Sequence, residues 1–258
     1  SGGDPGRAPP MSAGRLTLAL DAGAIHLPQA GPIAVYRPST DTDLSALPRD
    51  RVRIVHGFRP AWDWWAAQGH ALSVEAPEEA AGALVSLPRA RDLARDLIAR
   101  ALAHGGPVIL DGQKTDGIDA ALRELRGRVE VSPPFAKAHG KCAMVSGAPT
   151  ALADWLLPDL SRTASGWMTA PGAFSADGPD PGSVALGRAL PERLPGRVAD
   201  LGAGWGYLAF QVLERAGVTE VALVEAEHGA LAAARANLGD PRARFHWADV
   251  TRWTDAAP

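Results

Sequence analysis

From about residue 52 onward, short apolar runs alternate with stretches whose apolar residues recur every three or four positions. The runs read as strands and the periodic stretches as amphipathic helices, which predicts βαβ units around a mostly parallel sheet. Strands are expected at VRIVHG (52–57), ALSVEA (71–76), ALVSLP (83–88), PVILDG (107–112), RVEVSP (128–133) and KCAMVSG (141–147). The clearest helix lies in RARDLARDLIARALAHGG. There Leu93, Leu97, Ile98 and Leu102 form one stripe, the arginines and aspartates turn to water, and Gly105 ends the helix. GIDAALRELRG sets Ile118, Leu122 and Leu125 on one face of a second helix.

A second region repeats this grammar. RVADLG reads as a strand, YLAFQVLERAG as a helix ended by Gly217, and EVALVEA as a strand. HGALAAARANLG then reads as a helix ended by Gly239, and ARFHWADV as a strand. In element order, the segment from RVRIVHG (51–57) resembles the segment from RVADLG (197–202), but the first copy has no glycine cluster. Two related α/β domains are expected, only the second keeping a ligand-binding first turn. The expected boundaries are an extension at 1–12, a first domain at 13–150, a linker and covering loop at 151–182, and a second domain at 183–258. The linker region is rich in turn formers, contains Trp167, Phe174 and Asp177 as if it packs on something, and becomes a short helix from Ser183.

Composition narrows the class. A chain of 258 residues that is 46% hydrophobic buries a substantial core. Up to residue 160 there are 17 basic and 18 acidic side chains, and 9 and 11 after it, so neither part is a basic module. Any nucleic-acid site is therefore a local patch. No apolar run approaches a membrane span, no leader pattern opens the chain, and a soluble cytoplasmic protein is expected. Residues 1–10, SGGDPGRAPP, read as a disordered extension. Cys142 is the only cysteine and the seven histidines are scattered, so no disulfide framework or metal site is expected.

Candidate chemistry concentrates in VADLGAGWGYLAFQVLE (198–214). Gly202, Gly204 and Gly206 fall between a strand and a helix, where glycines allow a tight turn and close backbone approach, and a helix N-terminus offers free N–H groups. A dinucleotide fingerprint wants a glycine where Tyr207 stands. Asp200, two residues before the first glycine, suits a ligand with a cation near an anion, such as the amino-acid end of a methionine moiety. Glu225 ends the next strand, where a carboxylate accepts ribose hydroxyl protons, and Asp249 ends the one after, placed for an adenine amino group. A purely structural strand–helix turn and a nicotinamide-dependent oxidoreductase stay as alternatives.

The DLGAGWG turn followed by Glu225 and Asp249 resembles the cofactor half of a class I methyltransferase. LPRARDLARDLIARAL, GQKTDGIDAALREL, FAKAHGKCAMVSG and WMTAPGAFSADGPDPGSVALGRALP are similar to the RsmC-like ribosomal RNA guanine-N2 methyltransferases, from about residue 50 to the end. The resemblance implies two Rossmann-like class I methyltransferase domains in tandem, the first degenerate and the second incomplete in this chain. It implies S-adenosyl-L-methionine as cofactor, held by Asp200, Gly202, Ala203, Gly204, Gly206, Glu225, Ala226 and Asp249. A loop PGAFSADGPDPGS would close over it with Phe174 and Ser175 nearby. The implied reaction is methylation of the exocyclic N2 amine of a guanine in small-subunit ribosomal RNA, with ribosomal RNA or the small subunit as partner. Another amine or amide substrate, or a non-catalytic RNA-binding relic, are the alternatives.

Such enzymes carry Asn-Pro-Pro-aromatic at the end of the fourth strand, and this chain has none; its single asparagine is Asn237. SPPF (132–135) lacks the amide and reads as a relic or a structural turn. The catalytic residues are therefore unassigned, and the chain by itself is expected to be inactive, with a half-built second sheet. RNA contact is expected at Lys114, Lys137 and Lys141, the only lysines, with His139 beside them. Pairing of these lysines with Asp111, Asp116 or Asp119 is the competing reading. The tryptophans Trp62, Trp64 and Trp65 are read as core rather than as base-stacking platforms.

Overall fold

The computed structural model describes residues 14–254; the expected extension at 1–12 and the last four residues lie outside them. In chain order, the first part comprises α1 (Arg15–Asp21), β1 (Ile33–Tyr36), β2 (Val52–Val55), α2 (Arg59–Ala67), β3 (Ala71–Ser73) and β4 (Gly82–Ser86). It continues through α3 (Arg91–Ala103), β5 (Val108–Gln113), α4 (Ile118–Leu125), β6 (Glu130–Val131), β7 (Phe135–Lys137) and β8 (Gly140–Ser146). These strands form one sheet in the order β3-β2-β1-β4-β5-β8-β6, with β7 also paired to β8. β1 to β5 run parallel, and β8 is antiparallel to β5, β6 and β7.

The centre of this sheet is β1, which pairs with both β2 and β4 and is buried along its whole length. A sheet read as starting at residue 52 misses it. The run IAVY has no alternation, because both of its faces are covered, so four apolar residues give no periodic signal. This shifts the internal comparison by one strand. Both sheets run third–second–first along one side, so the partner of β1 in the second sheet is its first strand, and residues 52–57 match the second strand instead. The counterpart of the glycine turn is then Arg37-Pro38-Ser39-Thr40, which also lacks glycine.

The α3 stripe is wider than expected. Leu97, Ile98 and Leu102 are buried together with Ala94, Ala99 and Ala101, while Leu93 is only half-buried. Asp96, expected to face water, is 3% exposed. Its carboxylate accepts from Arg100 at 2.8 Å and from the Leu157 N–H at 2.9 Å, which ties the connecting segment to the helix. Ile118, Leu122 and Leu125 of α4 are buried as read. The strand expected at 128–133 shrinks to two residues, because Pro133 and Pro134 offer no N–H to a ladder. SPPF is not a regular turn: residues 132–134 link β6 to β7, Phe135 opens β7, and Ser132 Oγ accepts the Met144 N–H at 2.9 Å. β7 and β8 then make a tight hairpin whose tip residues, Ala138 and His139, have φ of 49° and 57°. Of the tryptophans, Trp65 is core, with Nε1 donating to Pro38 O at 3.0 Å, whereas Trp64 is 39% exposed.

The second part comprises β9 (Ser161–Arg162), β10 (Met168–Thr169), α5 (Pro181–Ala189), β11 (Arg197–Leu201), α6 (Tyr207–Leu213), β12 (Glu220–Glu225), α7 (His228–Asn237) and β13 (Ala243–Trp247). β9 and β10 form a short antiparallel ribbon, and β11-β12-β13 a parallel sheet with β11 at its edge. α6 stops at Leu213, earlier than Gly217, which instead turns at φ 86° towards β12. Trp167 packs as the linker composition suggested, with ring centroids 5.3 Å from both Trp205 and Phe210. The core of this part joins Ala209, Val212 and Leu213 of α6 to Val221 and Leu223 of β12 and to Leu231 and Ala234 of α7.

Candidate cofactor site

β11 delivers Asp200 and then the glycine turn at the carboxyl edge of the second sheet. Gly202, Gly204 and Gly206 have φ of 80°, 55° and 92°, the left-handed region in which a side chain is strained. Their surroundings differ. A Cβ at Gly202 or Gly204 would meet nothing within 4 Å, whereas one at Gly206 would lie 3.0 Å from Leu238 Cδ1 and 3.3 Å from Ala234 Cβ. Gly206 is therefore bare for packing against α7, while Gly202 and Gly204 leave open space. The turn is pinned to β12 by the Gly202 and Ala203 N–H groups, which donate to Val224 O at 2.8 and 3.2 Å.

A cleft of about 70 Å³ lies against this turn, lined by Asp200, Gly202, Ala203, Gly204, Phe174 and Ser175 among others. Phe174 and Ser175 of the expected covering loop lie on this cleft, with Ser175 strained at φ 53° and Phe174 76% exposed. Trp205 does not fill the space over Gly202 and Gly204. It is 4% exposed and packs on Trp167 and Tyr207. Asp180 and Ser183 join the lining without having been anticipated. Their signal was the run DPGS: Asp180 caps α5 by accepting the Ser183 N–H at 3.0 Å, followed by proline in the first turn.

Asp200 Oδ2 is buried with no hydrogen-bond partner among the described residues. Burial is the main cause that pushes its carboxyl up to about 6; the nearby Glu225 charge adds to this, and a hydrogen bond from the Ala209 N–H opposes it. An orphaned carboxylate oxygen facing a cleft is a destabilising feature that a cationic group entering the cleft would relieve.

The other two acids do not converge on the same space. Both Glu225 oxygens are engaged by the protein: Oε2 accepts the Gly204 N–H at 2.7 Å and Oε1 the Glu227 N–H at 2.8 Å. Glu225 holds the turn rather than presenting a free carboxylate. Asp249 follows β13 as expected, but it lines a separate, larger cavity and accepts from the Thr251 N–H and hydroxyl, which lowers its pKa. The Ala226 carbonyl accepts from the Arg59 N–H and from Trp247 Nε1, both at 2.8 Å. α6 has seven residues, so the expected helix N-terminus is a short one.

Around Ala226 the two sheets meet. Gly57 O accepts the His228 N–H at 2.8 Å and Trp247 Nε1 at 3.1 Å, and Arg37 forks onto the Glu227 carboxylate at 2.5 and 3.2 Å. The loop after β2 thus clamps the loop after β12, next to the proposed ribose acid. Sequence reading missed this joint because its residues lie some 190 positions apart.

Lys114, Lys137, His139 and Lys141 do gather on one rim, around the β7–β8 hairpin tip. Lys141 Nζ is nevertheless bound to Asp119 at 2.5 Å, so the competing reading holds for that lysine. Among the described residues no group of three or more metal-ligating side chains occurs, and no helix is long and apolar enough to cross a membrane.

Residues 165–257 match the family model of the methyltransferase small domain. Two relatives carry the name ribosomal RNA small subunit methyltransferase C. That of Psychromonas ingrahamii is 30% identical over 60% of this chain and 48% of its own length, and that of Pseudomonas putida 28% identical over 81% and 66%. The chain therefore spans about half to two thirds of the length of these relatives. A solved structure, the T. thermophilus 16S rRNA N2 methyltransferase RsmC in complex with AdoMet and guanosine, matches at a TM-score of 0.67 and 21% identity, covering 86% of this chain and 66% of that one. This likeness shows a shared fold. The chain is thus similar in sequence to these methyltransferases, shares the α/β fold of the solved one, and matches the methyltransferase small domain over residues 165–257.

Proposed function

We propose that this chain is the cofactor-binding and N-terminal portion of an S-adenosyl-L-methionine-dependent methyltransferase acting on the exocyclic N2 amine of a guanine in small-subunit ribosomal RNA. The names of its relatives and of its structural neighbour supply the substrate class. The observation that carries the cofactor is the orphaned Asp200 oxygen beside two left-handed glycines whose outer faces are open.

Asp200 would pair with the ammonium of the methionine moiety, the charge that its buried oxygen lacks. The backbone of Gly202, Ala203 and Gly204 would pass under the carboxylate end, where a side chain would collide. Glu225 would share its grip on the Gly204 N–H with the ribose hydroxyls, and Asp249 would need to leave Thr251 to reach an adenine amine. Phe174 and Ser175 would cover the cleft and exclude water. When bound, S-adenosyl-L-methionine supplies an electrophilic methyl group on a sulfonium. An amine so placed in line needs aiming more than acid–base assistance, and a paired guanine would first have to turn out of its stack. Lys114, Lys137 and His139 would meet RNA phosphates.

Isothermal calorimetry with S-adenosyl-L-methionine and with NAD tests the cofactor assignment. Saturable binding of the first, lost in Asp200→Ala and absent for NAD, is the expected result. Binding of NAD alone would overturn it.

A further inference from the structure

A cavity of about 840 Å³ opens at the carboxyl ends of β1, β2, β4 and β5, where Arg37, His56, Ser86 and Asp111 line it. It lies over the boundary at which strand order reverses, between β1 and β4. Open α/β sheets build their ligand sites at such switch points. The first sheet has lost the glycine turn, but it keeps the hollow.

The walls define the chemistry of the occupant. The loop after β1 has no glycine, and no helix follows before β2, so nothing there cradles a pyrophosphate or an amino-acid moiety. Two aromatics, Phe58 and Trp64, are 37% and 39% exposed on the same cavity. Trp64 is rigidly backed: Trp65 meets it edge-on, with centroids 4.5 Å apart at 89°, and Trp65 is itself fixed to Pro38 O. At the tip of β4, Ser86 lines the cavity, its Oγ buried without a partner among the described residues. At the rim stands Arg89, 82% exposed and in only a long 3.4 Å contact with Asp116.

A supported indole, an unused hydroxyl and an available guanidinium suit a flat base with a hydrogen-bonding edge and an anionic tail. We propose that this cavity is a second site that takes an unpaired nucleotide, with its base on Trp64 and its phosphate towards Arg89. The inference goes beyond the methyltransferase reading and does not depend on methyl transfer. The nucleotide belongs to an RNA strand or is free; Asp249 and Arg252 reach the same cavity from the second sheet, so a strand seated here would run on towards that sheet's rim.

The test uses the full chain, a labelled single-stranded eight-nucleotide RNA followed by anisotropy, and unlabelled guanosine monophosphate as competitor. Trp64→Leu is expected to weaken the RNA about tenfold, a typical effect of losing one stacked base, with S-adenosyl-L-methionine affinity unchanged by calorimetry. Arg89→Ala is expected to lower the salt slope of binding by about one. Displacement by the free nucleotide supports a mononucleotide pocket, and a Trp64 effect without displacement supports a strand. Unchanged affinity for both probes in a folded Trp64→Leu protein overturns the site. Should that variant unfold, an unchanged salt slope in Arg89→Ala overturns it. Loss of S-adenosyl-L-methionine binding by the wild-type chain with the Trp64 effect intact would remove the proposed function and leave this inference standing.

Discussion

Asn237 treats Met168 as a neighbouring strand would: its Oδ1 accepts the Met168 N–H at 2.7 Å and its Nδ2 donates to Met168 O at 2.9 Å. The same Nδ2 donates to Trp205 O at 2.8 Å. One amide at the end of α7 thus anchors both β10, which leads into the covering loop, and the glycine turn. Its only role in the sequence reading was to be the lone asparagine in the wrong place for catalysis.

Replacing Asn237 with alanine removes three part-buried hydrogen bonds and strands their backbone partners. The expected loss of stability is about 2–4 kcal/mol by urea denaturation. Asn237→Asp keeps the acceptor for Met168 N–H and forfeits both donated bonds, so it should fall between the two. Equal stability of all three proteins would show that the anchor is dispensable.

The two kinds of glycine in the turn separate by mutation. Gly202→Ala adds a methyl to open space at φ 80°, so it should cost only about 1 kcal/mol of stability, the left-handed penalty. Its effect on S-adenosyl-L-methionine should be much larger, with binding lost to calorimetry, because the methyl occupies the cradle. Gly206→Ala combines φ 92° with contacts at 3.0 and 3.3 Å and should cost about 2–3 kcal/mol of stability. A Gly202→Ala protein that binds as tightly as wild type would mean that nothing approaches the backbone there.

These contrasts mark what the sequence can tell. Helix faces were legible because α3 and α4 must bury stripes, and Leu97, Ile98, Ile118 and Leu122 are all covered. β1 was not, because a strand covered on both faces has no alternation to read. The glycine turn and Asp200 were legible as local chemistry, and so was the loop of Phe174 and Ser175. What the sequence did not carry was the pairing set by a distant partner: Glu225 with Gly204, Asp249 on another cavity, and Ala226 with Arg59. Strand ends can be placed on one rim from sequence, but the direction of a carboxylate depends on which N–H lies nearest.

The lysine rim gives an unequal prediction. Among the described residues Lys137 has no acidic partner of the kind that holds Lys141, which is bound to Asp119 and shares that charge with Lys114 and Arg123. Lys137→Ala should lower the salt slope of RNA binding by about one. Lys141→Ala should change it less, since Asp119 already offsets the charge removed. Filter binding over a range of potassium chloride reads both, and a larger effect at Lys141 would refute the ranking.

Asp200 links binding to pH with opposite signs for stability and affinity. Its folded pKa is raised, from 3.8 to about 6, so between these values the folded chain holds a proton that the unfolded chain has released. Stability from this group is therefore greatest below pH 4, falls as pH rises, and is lost above pH 6, by an amount on the order of 3 kcal/mol. A cationic ligand requires the carboxylate, so affinity for S-adenosyl-L-methionine should behave the other way. It should be flat above pH 7 and fall towards tenfold per unit below pH 6. Asp200→Asn removes the buried charge while keeping the shape. That variant should be more stable than wild type at pH 7.5, bind the cofactor weakly, and show no pH dependence in that range. Calorimetry at pH 5 to 8, paired with urea melts of both proteins, separates these outcomes. If Asp200→Asn were both less stable and equally good at binding, the orphaned oxygen would be a structural group and the cleft would have lost its reason to hold a cation.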